Sequence, residues 1–271
     1  MAEITFTLIQ TKLHWEDKEA NLRALEEKIR NIEVPTQVVV LPEMFSTGFS
    51  MKAAQLAETM NGPTVEWMRE ISAEQKIILT GSIIIQENGS YYNRLIWMFP
   101  NGQSGYYDKK HLFGYAEEDK YFTAGKQRFI TSVNGWKING LVCYDLRFPV
   151  WARQSSASLT ASEVEYDVLI YVANWPQKRN TAWKSLLQAR AIENQCYVIG
   201  VNRVGEDGNG FEYSGDSAVI DPLGEFLYLK ENEEDVFTIT LDKKHLQNVR
   251  EKLPFLKDAD PFLLINETDQ E

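Results

Sequence analysis

Histidine and cysteine are scarce in this sequence, with three of the one and two of the other. Cys143 and Cys196 are too few for a disulfide framework, and no Cys/His pair has the close spacing of a zinc site. His14, His111 and His245 are scattered along the chain. Reduced thiols and a cytoplasmic setting are the resulting expectations. No stretch reaches the roughly 18 consecutive apolar residues of a membrane span. Residues 1–6 lack a basic region leading into an apolar one, so no signal peptide is expected. Positive charge is short too: 28 Lys and Arg against 39 Asp and Glu leave a net charge of −11. Nucleic acid and anionic membranes demand a basic surface, so neither is expected as a partner. No glycine-rich phosphate loop follows a strand, and no metal or organic cofactor is expected.

The chain does have enough apolar residues for a sizeable core, at 44% of its 271 positions. Apolar patterning alternates between strand and helix. Residues 4–9 alternate as a strand, and Leu22, Leu25, Ile29 and Ile32 recur at helical spacing. Residues 38–41, 138–142 and 168–172 read as short buried parallel strands. Helices are expected over 63–75 and 183–196, and further strands over 77–85, 197–201 and 236–241. Asn101-Gly102 marks a hairpin between 94–99 and 104–107, and a later one joins 217–220 to 224–229. Residues 155–165, rich in Ser, Ala and Thr, read as an exposed insertion. The expectation is one α/β domain over residues 1–271, with an acidic, irregular tail from about 255.

Polar residues fall at the ends of three of these strands. Residues 38–41 run into Pro42-Glu43, 138–142 into Cys143-Tyr144-Asp145, and 168–172 into Ala173-Asn174-Trp175. Ligands of open α/β sheets bind beyond the carboxyl ends of the strands. If the three strands are neighbours, one rim carries a carboxylate, a thiol and an amide. Cys143 is then either a small buried hydrophobe or a nucleophile. Cys196, inside an apolar strand, fits the first description better. Pro149 is placed to open a helix just after Cys143. The intervening turn presents backbone N–H groups, Tyr144 the nearest, that could hold an oxyanion. No histidine is an obvious base, and His111 could simply cap its loop. Glu43, between Pro42 and Met44-Phe45, could accept a thiol proton if buried, or merely cap a turn. Lys109-Lys110 and Glu117-Glu118 are either solvated pairs or a supply of charge to the same site.

In this order the stretches LPEMF (41–45), YDKKHLF (107–113) and GLVCYDLRFP (140–149) resemble the nitrilase superfamily of carbon–nitrogen hydrolases. ANWP (173–176), RAIEN (190–194) and GDS (215–217) extend the likeness over nearly the whole chain. The resemblance implies an α-β-β-α sandwich, two facing mixed sheets with helices on both outer faces, and subunits that pair as a homodimer or higher homo-oligomer. It also implies Glu43 as base, Lys109 rather than Lys110 as the lysine, and Cys143 as nucleophile. Counting back from Gly125, its second glutamate is Glu118, with adjacent Glu117 the other choice. CYDLRFPVWAR and ENQCYVIGVNRVG look like the ω-amidase branch, which implies release of ammonia from the side-chain amides of 2-oxoglutaramate and 2-oxosuccinamate. Arg147 offers a two-point donor for such a substrate's carboxylate, or else pairs with Asp145. Phe45, Tyr115, Phe148 and Trp175 could wall the pocket or belong to the core. The rivals are the same chemistry on an N-carbamoyl compound, a nitrile or deaminated glutathione, and a binding protein that has lost the chemistry.

Overall fold

The computed structural model describes residues 3–154, 164–260, 262 and 264. In chain order its strands are β1 (Ile4–Gln10), β2 (Val38–Val40), β3 (Ile78–Glu87), β4 (Ser90–Met98), β5 (Ser104–Asp108), β6 (Ile130–Val133) and β7 (Trp136–Val142). They continue with β8 (Val168–Val172), β9 (Tyr197–Val201), β10 (Val204–Glu206), β11 (Glu212–Ile220), β12 (Phe226–Glu231) and β13 (Asp235–Leu241). The helices are α1 (Lys18–Arg30), α2 (Ala53–Leu56), α3 (Pro63–Gln75), α4 (Glu118–Tyr121), α5 (Pro149–Ala152), α6 (Asn180–Asn194) and α7 (Lys243–Lys252).

These strands form two mixed sheets. The first runs β13-β1-β2-β3-β4-β5, and the second β10-β11-β9-β8-β7-β6 with β12 beside β11. The centre of each is parallel: β1, β2 and β3 in one, β7, β8 and β9 in the other. Phe6, Leu8, Val40 and Trp97 from the first sheet share one apolar cluster with Ile138, Ile170 and Val198 from the second, so the sheets face each other. On the far side of the first sheet, Leu25 and Ile29 of α1 and Val65 and Met68 of α3 pack over Ile9, Val39 and Leu79. On the far side of the second, α6 lies so close that a Cβ on Gly200 would sit 2.5 Å from Leu187 and 2.8 Å from Trp183. The architecture is an α-β-β-α sandwich.

Several features differ from the sequence reading. Val38–Val40 does not neighbour the strands before Cys143 and Asn174, because β2 pairs with β1 and β3 in the opposite sheet. The site is therefore assembled from two facing rims. A second hairpin turns at Asn88-Gly89, both with positive φ (51° and 81°), and extends β3 and β4 beyond the expected strands. Helix α7 was not anticipated, since only Leu246 and Val249 supply apolar burial. Its start is held by Asp242, whose side chain accepts from the Lys244 and His245 amides. Arg250 near its end pairs with Asp167 at 2.8 Å.

Of the expected insertion, residues 155–163 lie outside the described residues. Val164 is buried and Glu165 pairs with Arg128 at 2.8 Å, so that end is not an exposed loop. The tail is less irregular than expected, for Phe255–Asp258 forms a short 3-10 turn that buries Leu256.

Candidate active site

Cys143 stands where β7 ends. Val142 is still extended (φ −123°), whereas Cys143 turns to φ +44° and opens a 3-10 helix over Cys143–Arg147. A non-glycine residue in this left-handed region costs roughly 1–2 kcal/mol and needs support. Asp145 supplies it. Its Oδ2 accepts the Val142 amide at 3.0 Å and the Tyr107 hydroxyl at 2.8 Å. Its Oδ1 lies 3.0 Å from the His111 amide and 2.8 Å from His111 Nδ1. One buried carboxylate thus ties the turn carrying Cys143 to the segment carrying Lys109. The Tyr144 amide is among the first of the 3-10 turn, where a helical N–H lacks an intrahelical acceptor.

Glu43 reaches the thiol from the facing sheet. The chain leaving β2 is fixed to β3 by the Leu41 amide on Thr80 O (2.7 Å) and the Met44 amide on Ser82 Oγ (2.9 Å). Asn174, at the end of β8, donates its backbone amide to Glu43 Oε2 at 2.8 Å and its side-chain amide to the Glu43 carbonyl. These bonds cross from one sheet to the other.

Lys109 follows β5. Its amide donates to Asn93 O at 3.0 Å and its carbonyl accepts from Gly125 at 2.9 Å. Gly125 must be glycine, since a Cβ there would lie 2.0 Å from Asp108 O. The Lys109 ammonium lies 2.9 Å from Glu43 Oε1 and 2.9 Å from Glu118 Oε2, with all three side chains wholly buried. The Asn93 amide donates to both acids, at 2.8 Å to Glu43 and 3.2 Å to Glu118. The Phe113 amide caps Glu118 Oε2 at 2.7 Å. Of the two adjacent acids, Glu118 is the buried one; Glu117 is exposed and pairs with Lys120 at 2.5 Å.

Electrostatics follow from this burial. Desolvation and the Glu43 charge push the Cys143 thiol well above its usual range, and Lys109 opposes them only in part. Desolvation would strip the Lys109 proton, but Glu118 and then Glu43 outweigh it and raise the pKa. Desolvation raises Glu118, Lys109 pulls it down, Glu43 pushes it up, and the net direction is upward. The resting site therefore holds an ammonium and a neutral thiol. A charge developing beside Lys109 would meet a donor already aimed at it.

Cys143 and Lys109 lie at the wall of a cavity of about 540 Å³, along with Asn174, Tyr144 and Arg147. Arg147 does not pair with Asp145. Its guanidinium lies 4.7 Å from the centre of the Trp175 ring and makes no ion pair among the described residues. Trp175 and Tyr115 line the cavity, Tyr115 being 85% exposed. Phe45 and Phe148 do not. Phe45 is buried under α3, where it meets Trp67, and Phe148 stacks on His111 at 3.8 Å. His111 shapes the turn and does not reach the thiol. Three contributors escaped the sequence reading: Asn93, Asp145 as a hub, and Arg179, whose guanidinium lies 5.3 Å from the centre of the Phe113 ring. A signal existed for the first, an amide and a guanidinium side by side (Asn93-Arg94) between the aromatic and apolar halves of a strand.

Among the described residues no helix is long and apolar enough to cross a membrane, and no group of three or more His, Cys, Asp and Glu could hold a metal ion. The carbon-nitrogen hydrolase family model matches residues 5–251. The omega-amidase YafV of Escherichia coli (strain K12) is 42% identical over 265 residues, covering 97% of this chain and all of that one. The 2-oxoglutaramate amidase of Bacillus subtilis (strain 168) is 32% identical over 257 residues, 94% of this chain and 96% of that one. Among solved structures, XC1258 from Xanthomonas campestris, a CN-hydrolase superfamily protein with an arsenic adduct in its active site, superposes with a TM-score of 0.95. It is 41% identical, with 98% of this chain and 100% of that chain covered.

Proposed function

The chain belongs to the carbon–nitrogen hydrolase family, and on that premise we propose that it is an ω-amidase working through a cysteine thioester. Its substrates in this reading are small keto-acid amides, 2-oxoglutaramate and 2-oxosuccinamate. Glu43 takes the Cys143 proton as the thiolate attacks the amide carbonyl. The oxyanion forms between the Lys109 ammonium and the Tyr144 amide. Glu43 returns the proton to nitrogen, the C–N bond breaks, and ammonia leaves. The remaining thioester takes water, which gives its proton to Glu43 as its oxygen attacks. Collapse releases the free acid and the thiol. Glu118 and Asn93 hold Lys109 and Glu43 in place throughout, and Arg147 binds the substrate carboxylate.

One observation carries this reading: a buried ammonium touching two buried carboxylates beside a thiol on the cavity wall. A neutral resting thiol fits it, since the thiolate is needed only when substrate excludes water and brings its carbonyl to Lys109. Homo-oligomeric assembly and a cytoplasmic site of action belong to the same proposal. The test is ammonia release from 2-oxoglutaramate by the wild type and Cys143→Ala, with intact mass after rapid quenching. The wild type should release ammonia and carry an acyl adduct; Cys143→Ala should do neither while remaining folded. Substantial activity in that variant would remove the thioester from the scheme.

A further inference from the structure

We propose that Arg179 forms a second anion-binding subsite beside Arg147, so that the site also takes amides bearing a second carboxylate. The proposal goes beyond the monocarboxylate substrates of the ω-amidase reading, since the second carboxylate would sit on the leaving amine, and rests on that reading only for the chemistry of the scissile bond.

A charge count along the cavity wall leads to it. Lys109 is neutralised by Glu43 and Glu118. Lys52 pairs with Glu16 at 2.7 Å. Asp207 keeps its charge, but its oxygens face away to partners of their own, Oδ1 accepting from the Asn209 and Phe211 amides at 2.8 and 3.0 Å and Oδ2 from the Tyr213 hydroxyl at 2.9 Å. Arg147 and Arg179 remain. Among the described residues neither guanidinium has a carboxylate or carbonyl partner. Each instead lies over an aromatic ring, Trp175 for Arg147 and Phe113 for Arg179, a cation–π contact that consumes none of its N–H donors.

The two are parts of one wall. The Trp175 indole N–H donates to Arg179 O at 2.8 Å. Phe113 meets Tyr144 at 4.9 Å between ring centres, which returns the wall to the turn holding Cys143. Two half-buried guanidiniums without an acidic partner on one wall suit two anions better than one. The cavity agrees: about 540 Å³ lies in the range that holds drug-sized ligands, far more than a five-carbon keto-acid amide fills. A longer substrate can place one carboxylate on Arg147 and another on Arg179 while its amide meets Cys143.

The experiment separates binding from turnover. Calorimetry measures inert α,ω-dicarboxylates, from succinate to suberate, and monocarboxylates of equal chain length. The proteins are the wild type, Arg147→Met, Arg179→Met and Arg179→Lys, each checked for folding by circular dichroism. The best-fitting dicarboxylate should bind the wild type at least about tenfold tighter than its monocarboxylate, the scale of one charge-assisted contact. Arg179→Met should abolish that advantage and Arg179→Lys should keep part of it. In turnover, Arg179→Met should lower kcat/KM for N-succinylglycine about tenfold more than for succinamate, mainly through KM. An unchanged ratio in Arg179→Met overturns the proposal. So does an equal loss for mono- and dicarboxylates, which would place both arginines on one carboxylate. Dicarboxylate selectivity without any amide hydrolysis would instead refute the ω-amidase reading and leave the subsite standing.

Discussion

Replacing Lys109 by Met tests the buried charge cluster directly. The methionine fills similar volume but leaves Glu43 and Glu118 facing each other in the core with no counter-charge. An uncompensated buried charge of this kind costs about 3–5 kcal/mol. The folded variant can escape much of that cost by protonating an acid. Glu118 already has its pKa raised above the ordinary 4.5, and losing the ammonium removes the main influence holding it down. A carboxyl whose folded pKa lies above its unfolded value contributes stability that is full below the unfolded pKa. That contribution disappears as pH rises through the folded pKa. Lys109→Met should therefore unfold in urea close to the wild type near pH 5, and fall about 3–5 kcal/mol short of it near pH 8. Adding Glu118→Gln should recover part of the loss at pH 8, because one of the opposed charges is gone. If the deficit is the same at both pH values, or the double variant is less stable still, the carboxylates are not confronting each other in the folded protein.

Two further outcomes follow from the same geometry. Iodoacetamide should modify Cys143, on the cavity wall, at least about tenfold faster than the wholly buried Cys196, and peptide mapping reads the ratio. Because the Cys143 pKa is raised, its labelling rate should keep climbing above pH 9; a plateau near neutrality would contradict the neutral resting thiol. Asp145→Ala should cost about 2–5 kcal/mol in urea unfolding, since it orphans the buried Val142 amide and leaves the buried Tyr107 O–H without its acceptor. Ammonia release should fall with it even at temperatures where the variant is folded. Full activity there would show that the cysteine turn keeps its shape unaided.

Much of the fold is legible because burial writes plainly. Val38–Val40 is an uninterrupted β-branched run and Val168–Val172 an uninterrupted apolar one, the pattern of strands covered on both faces. Helix α7 was hidden because its apolar face is short, Leu246 and Val249 alone, beside a cap and an ion pair that no apolar pattern announces. Sheet membership was hidden too. Nothing local says whether β2 lies beside β7 or opposite it, since pairing depends on partners distant in sequence. The site divides along the same line. Glu43, Lys109, Glu118 and Cys143 were accessible through their flanking residues. Asn93 and Asp145 act through hydrogen bonds that only the folded chain creates, and Asn and Asp are ordinary surface and turn residues on their face. Arg179 was invisible because its interest lies in the partner it lacks.

The left-handed turn at residue 143 also bounds what this scaffold can become. Cysteine tolerates that backbone angle because its side chain has a single heavy atom on Cβ, and serine shares the property. Threonine, branched at that atom, is a true steric outlier there. If Cys143 is the nucleophile, as proposed, drift from sulfur to a hydroxyl on Cβ has one route, through serine, and the bend forbids the bulkier alcohol.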